Sequence, residues 1–383
     1  METTRRELVQ KTASLAAVAA VGWKTFGVPQ AAYAPPPIGY GELGPADVYG
    51  IRLPAGFKAR LLGRTGEPVA GLTRTYIWHP EPDGAATFAT NDGGWILACN
   101  SEDNGSAGGV SAIKFAANGD PESAYRILTG TKWNCAGGKT PWGTWLSCEE
   151  FRNGRVWECD PFLPGSQGTP RPALGVRIHE AAPVQASTGH VYMTEDDHDG
   201  RLYRFRPDHW GDLTSGVLEV ASVDEHQTVS WFAISPKWPY RKKDATIFDR
   251  GEGAWISNDV LYFSTTANDR VWALDLITMK IRVIYDGQGP NASDALHEPD
   301  NVTIREGSGA AFVAEDADDL QLVQLVPSGG TWTAAPFLQF VGHEGSEVTG
   351  PAFSPDGSRL YVNSQRGTNG KGMTFEITGP FGA

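Results

Sequence analysis

The sequence predicts an all-β chain folded as a six-bladed β-propeller, and three observations carry that expectation. Short strand-like runs recur along the chain at nearly constant spacing. The 46 glycines and 26 prolines among 383 residues exceed the usual combined share of about 12%, which suits many tight turns. Beyond the N-terminal segment, no apolar stripe at i, i+3, i+4, i+7 is sustained, so amphipathic helices are not expected.

The repeat is read from six runs: 95–103, 143–150, 190–197, 259–266, 310–319 and 359–365. Their central apolar residues are separated by steps of about 49, 47, 70, 50 and 49 residues. Most are followed by a second strand-like run, as in 110–115, 155–159, 201–205, 270–275 and 320–325. Strand, turn, strand at a period near 50 is the pattern of propeller blades. The longer third step places an insertion at about 207–243, rich in Trp, Pro and charge, within a single domain spanning 35–383. The early run Gly56–Gly63 is expected to complete the terminal blade, which would close the ring and remove open sheet edges.

Residues 1–34 read as an export address. Arg5 and Arg6 precede a short Ala/Val-rich stretch, and Ala32-Tyr33-Ala34 has the small-x-small form of a cleavage site. Paired arginines point to the twin-arginine translocase as a transient partner and to a periplasmic or extracellular protein. No run of about 20 apolar residues is present, so no stable membrane span is expected once the signal is cleaved. Asp+Glu 45 against Lys+Arg 32 gives a net charge of −13, which repels phosphate backbones and argues against nucleic acid. Four cysteines (Cys99, Cys135, Cys148, Cys159) make no disulfide framework and no zinc-ribbon spacing. Cys148 and Cys159 are the nearest pair for a single bridge, which sequence does not decide.

Five units carry a potential metal ligand about 10–14 residues ahead of the central strand residue: Cys135, Glu180, Glu252, Asp300 and Glu347. Equivalent positions of successive blades are related by rotation about the propeller axis. One thiol and several carboxylates are therefore expected to converge on the central channel, where cations would relieve their repulsion. Oxygen ligands in number suit a hard cation such as calcium, and a single thiolate suits iron or another transition metal. Arg250, two residues before Glu252, reads either as a clamp on a phosphoryl or carboxylate oxygen of a substrate or as an ion-pair partner of Asp249 or Glu252.

The string NCAGGKTPWGTWLSCEE, Asn134 to Glu150, resembles the signature of the PhoX-type alkaline phosphatases. So do the segments 157–182, 191–197, 249–252, 298–301 and 349–363, in the same order. The resemblance implies a twin-arginine-exported six-bladed propeller with two iron and three calcium ions in the channel, hydrolysing small phosphate monoesters. It implies Cys135 as the thiolate on iron, Glu180 as an iron ligand, and Glu252 and Asp300 at the iron–calcium core. It further implies Glu150 near the cluster, Asn301, Glu195 and Glu102 in the calcium shell, and Arg250 in contact with the substrate phosphate. The arginine segment departs from the family pattern, reading Arg250-Gly251-Glu252-Gly253-Ala254-Trp255, where proline followed by glutamate and tryptophan is usual. Two other classes fit the same fold: a calcium-dependent lactonase, which needs no thiolate, and a binding propeller without turnover.

Overall fold

The computed structural model describes residues 39–289, 295–316 and 319–381, and the expected export segment 1–34 lies outside them. Six antiparallel sheets follow one another along the chain. Blade 1 comprises Pro82–Ala89, Trp95–Ser101, Gly109–Phe115 and Pro121–Thr129. Blade 2 comprises Asn134–Lys139, Trp145–Gly154, Val156–Cys159 and Thr169–Pro170, with Arg177–Ile178 added to the end of its second strand. Blade 3 comprises Val191–Met193, Tyr203–Pro207, Gly216–Val223 and Val229–Ala233. Blade 4 comprises Gly251–Ser257, Val260–Thr265, Arg270–Asp275 and Lys280–Asp286. Blade 5 comprises Pro299–Ile304, Ala311–Glu315, Gln321–Ser328 and Thr331–Phe340, and blade 6 comprises Val348–Phe353, Arg359–Thr368 and Lys371–Thr378.

The ring closes as expected: Lys58–Arg64 pairs antiparallel with Lys371–Thr378 and supplies the outer strand of blade 6. One apolar cluster fills each of the six junctions between neighbouring blades. Tyr192 and Ala221 of blade 3, for example, pack with Phe263 and Leu274 of blade 4. Phe312 and Phe337 of blade 5 pack with Leu360 and Phe375 of blade 6. At the closing junction, Trp95 Nε1 of blade 1 donates to the Tyr361 hydroxyl of blade 6 at 2.7 Å. Each blade face is thus buried against the next, and the ring needs all six.

One expectation is corrected here, and one open point is settled. The expected insertion at 207–243 is for the most part regular sheet, since Gly216–Val223 and Val229–Ala233 are the third and fourth strands of blade 3. The extra length lies in 234–250, which runs from that outer strand to blade 4. The charge, Pro and Trp that suggested a loop lie mainly in the stretches 208–215, 224–228 and 234–243 that flank these strands. The bridge left open between Cys148 and Cys159 is not formed, and all four cysteines are free and buried.

Candidate metal centre

The innermost strands begin at one end of the channel with a repeated backbone device. Glu81, Trp133, Arg250 and Glu298 each stand immediately before an inner strand with φ of 45°, 46°, 51° and 39°. Non-glycine residues seldom adopt this left-handed conformation. Their carbonyls accept the amides of Glu102, Glu150, Thr266 and Asp316 at 2.9, 2.7, 3.0 and 3.1 Å. Two residues further on stand Asp83, Cys135, Glu252 and Asp300. Each of these lies within a shift of the pairing register, between Pro82/Ala85, Asn134/Gly137, Gly251/Ala254 and Pro299/Val302. Blade 6 shifts likewise between Thr349 and Ala352. Such bulges bend a strand and re-aim a side chain, and here they open each inner strand into the channel.

Below these positions the inner strands nearly touch. A Cβ on Gly84 would lie 2.5 Å from Ala136 Cα, and one on Gly253 would lie 2.5 Å from Asn301 Cα. The charged groups therefore collect above a waist of small residues. In blade 3 the inner segment is broken by Pro183, which has no N–H to donate, and is held by bonds such as Tyr192 N to the Pro183 carbonyl at 3.0 Å. Glu180 lies at the start of that segment and is fully buried.

Three ligand groups result, each with its donor atoms within 4.8 Å of one another: Asp83, Glu102 and Cys135; Cys135, Glu150 and Glu180; Glu180, Glu252 and Asp300. Cys135 belongs to two of them and Glu180 to two, so the groups form a chain with shared corners. Burial pushes the Asp83 carboxyl up to about 6 and, together with the Asp83 charge, the Glu102 carboxyl up to about 8. Burial and then neighbouring carboxylates hold Glu150, Glu180, Glu252 and Asp300 well above the ordinary carboxylate range. The Cys135 thiol is raised for the same two reasons and donates to Glu180 Oε1 at 3.3 Å. Glu180 Oε2 is buried without a hydrogen-bond partner among the described residues. Left to themselves, these groups must retain protons, and cations would take the place of those protons. The donor set fits: carboxylate oxygens suit hard cations, and the single thiol provides one soft ligand.

Of the residues expected from sequence, Cys135, Glu150, Glu180, Glu252, Asp300 and Glu102 are brought together in these groups. Three others stand elsewhere. Asn301 spends both side-chain atoms on protein, donating to Asp300 Oδ1 at 2.9 Å and accepting from Gly350 N at 2.7 Å, so it orients Asp300. Glu195 receives Arg241 through both oxygens at 2.8 and 2.9 Å, along with the Tyr203 hydroxyl at 2.8 Å. Glu347 is paired with Arg366 Nη1 at 2.5 Å, outside the three groups. Arg250 is held by Asp196, with Nε on Oδ1 at 2.8 Å and Nη2 on Oδ2 at 3.1 Å, and its Nη2 lies 3.2 Å from Glu252 Oε1. Asp249 instead pairs with His198 at 2.9 Å.

Sequence reasoning missed Asp83 and Asp196. Asp83 was within reach, because it lies fourteen residues before Leu97, in the register of the other ligands. Its Pro-Asp-Gly context reads as a turn. Asp196 had no such signal, since it stands beyond the end of a strand.

The chain is a closed six-bladed propeller with acids and a thiol gathered at one end of its channel. Residues 102–157, 151–289 and 278–367 match the family described as alkaline phosphatase PhoX, and the chain belongs to that family. Among solved structures, one match is Pseudomonas fluorescens PhoX in complex with vanadate, a transition state analogue. It is 20% identical with a TM-score of 0.71, covering 88% of this chain and 97% of that one. Another is the gluconolactonase XC5397 from Xanthomonas campestris, 13% identical with a TM-score of 0.51, covering 91% of this chain and 100% of that one. No curated protein sequence matches. Among the described residues no helix is long and apolar enough to cross a membrane.

Proposed function

We propose that this chain is an exported, metal-dependent phosphomonoesterase, with cations held by Asp83, Glu102, Cys135, Glu150, Glu180, Glu252 and Asp300. The carrying observation is the chain of three ligand groups that share Cys135 and Glu180. Iron is assigned to the groups containing Cys135, whose thiolate is a soft ligand, and calcium to sites built from carboxylates alone. Bound there, the cations would supply Lewis acidity and neutralise phosphate charge.

The chain's own residues do the rest. Arg250 contacts the phosphoryl oxygens: Asp196 and Glu252 fix Nε and Nη2, while Nη1 makes no hydrogen bond within the described residues and is free to donate. A guanidinium positioned in this way stabilises charge on the equatorial oxygens. Asp196 thus fixes the arginine through both of its carboxylate oxygens. Asn301 holds Asp300 in place. The packed inner strands close the channel beneath the cluster and keep bulk water from its lower side. Paired arginines at Arg5 and Arg6 support export through the twin-arginine route, which carries folded, loaded proteins.

The test is metal analysis, visible absorption and hydrolysis of 4-nitrophenyl phosphate with protein exported by its native route. The expected result is bound iron and calcium, a thiolate-to-iron absorption band, and turnover. Colourless, calcium-only protein that opens lactones and leaves the phosphate ester intact would establish the lactonase reading instead.

A further inference from the structure

The connection from blade 3 to blade 4 carries a concentration of positive charge and aromatic surface at odds with the rest of the molecule. Lys237, Trp238, Lys242 and Lys243 are all exposed, with Trp238 at 72%. None of the three lysines pairs with a carboxylate among the described residues, although Lys242 lies over the Tyr240 ring. Asp244 is the neighbouring acid, and it accepts the Tyr240 hydroxyl.

This strap is pinned to the carboxylate end of the channel. Arg241 clamps Glu195 through both oxygens and reaches Asp197 Oδ2 at 3.2 Å. Tyr240 N donates to the Tyr203 hydroxyl at 3.2 Å, and the Pro236 carbonyl accepts Val176 N at 3.2 Å. Successive residues of one acidic tip divide the work. Glu195 and Asp197 hold the strap, while Asp196 between them holds Arg250. The Arg250 amide also donates to the Asp197 carbonyl at 3.0 Å. The strap and the phosphate-contacting arginine thus hang from the same three residues.

We propose that residues 234–243 form a substrate-docking rim for phosphate monoesters with planar aromatic leaving groups. Lys237, Lys242 and Lys243 draw the dianion toward an otherwise acidic molecule, and Trp238 stacks on the leaving group. The chemistry is that of electrostatic capture and aromatic stacking, both of which act before the phosphoryl group reaches Arg250. This inference rests on the phosphatase reading, and its test keeps the two separable.

Metal-loaded full-length protein is assayed with 1-naphthyl phosphate and with glycerol 2-phosphate over a range of salt. Trp238→Ala raises KM for the naphthyl ester about three- to tenfold, leaves the glycerol ester and both kcat values unchanged, and is rescued by Trp238→Phe. The triple variant Lys237→Gln, Lys242→Gln, Lys243→Gln lowers kcat/KM for both esters at low salt and flattens the salt dependence. An unchanged ratio of the two KM values in Trp238→Ala, or an unchanged salt slope in the triple variant, overturns the inference while the phosphatase reading stands. Wild-type protein that hydrolyses neither ester removes both.

Discussion

The same five inner strands and the inner segment of blade 3 build both ends of the channel, and the two ends differ sharply. At one end stand Asp83, Cys135, Glu180, Glu252 and Asp300, all buried. At the other, Thr87, Lys139, Val184, Ile256, Ile304 and Phe353 surround a cavity of about 740 Å³. Between them Gly84, Ala136, Gly253, Asn301 and Gly350 leave a void of about 30 Å³, on the order of one water molecule. Rotation about the axis brings residues together at both ends, but only one end gathers groups that repel each other. The roomy end is lined mostly by proline, aromatic and aliphatic side chains, and holds the charges of Lys139, Arg305, Glu306 and Asp356 without such a cluster. Strongly shifted acids in a confined place mark function better than volume does.

The largest break in this contrast is expected from Cys135→Ala. It removes the corner shared by two ligand groups. Loss of even an outer partner of a metal ligand commonly lowers affinity or activity 10–100-fold, so turnover on 4-nitrophenyl phosphate should fall by more than about a hundredfold. Bound iron and visible absorption should vanish with it. Cys148→Ala is the control, because Cys148 packs between blades 2 and 3. It should keep iron and activity, and lower stability by about 1–3 kcal/mol in denaturant titration, the range of ordinary core truncations. Equal metal loss in both variants would mean that the cysteines matter through folding alone.

The second effect is a pH dependence that differs between loaded and metal-stripped protein. Folded-state values of about 6 for Asp83 and about 8 for Glu102 lie above the ordinary 3.8 and 4.5. The folded stripped protein therefore binds more protons than the unfolded chain, and its stability falls as pH rises between about 4 and 8. Calcium and iron reverse the slope, because binding releases those protons and gains affinity as pH rises. Thermal unfolding at a series of pH values, with and without chelator, reads this directly. A stripped protein whose melting temperature climbs across that window would contradict the crowding of acids at this end.

At the waist, Gly253→Ala is expected to act on one site rather than on all. The new methyl would sit 2.5 Å from Asn301 Cα and 2.9 Å from Val302 N, both backbone atoms. Overpacking of this kind costs about 1–3 kcal/mol. Because Asn301 orients Asp300, the push should weaken the group of Glu180, Glu252 and Asp300 first. Metal analysis should then show calcium loss with the iron-thiolate absorption retained. Proportional loss of both metals would show that the waist does not localise strain.

Much of this contrast was legible in the sequence. The blade period, the closing strand at 58–64 and four of the seven clustered residues follow from repetition and from where polar residues sit within it, while Glu150 and Glu102 came from the family resemblance. Side-chain direction at the strand tips was not legible. Glu195 and Asp196 are adjacent acids, yet Arg241 captures one and Arg250 the other, and both partners come from distant segments. Glu347 keeps the register of the other ligands and is nevertheless taken up by Arg366. Periodicity fixes which residues reach the axis, while local ion pairs decide which of them remain available. The outer strands of blade 3 were misread because the polar stretches around them, 208–215, 224–228 and 234–243, dominate the composition, although Gly216–Val223 and Val229–Ala233 are themselves largely apolar.

The smallest effect is expected at the roomy end. Thr303 is 1% exposed, lines the 740 Å³ cavity, and its hydroxyl has no hydrogen-bond partner among the described residues. Replacing an unpartnered buried hydroxyl by a methyl of similar shape removes a desolvated polar atom and leaves no new void. Thr303→Val should therefore be neutral or stabilise by up to about 1 kcal/mol in denaturant titration. Thr303 stands three residues beyond Asp300 on the same inner strand, on the far side of the waist. If the waist isolates the two ends, metal content and KM for 4-nitrophenyl phosphate should stay at wild-type values. A fall in calcium or a shift in KM from this single methyl would show that the inner strands transmit packing changes along the axis, and that the two ends form one coupled channel.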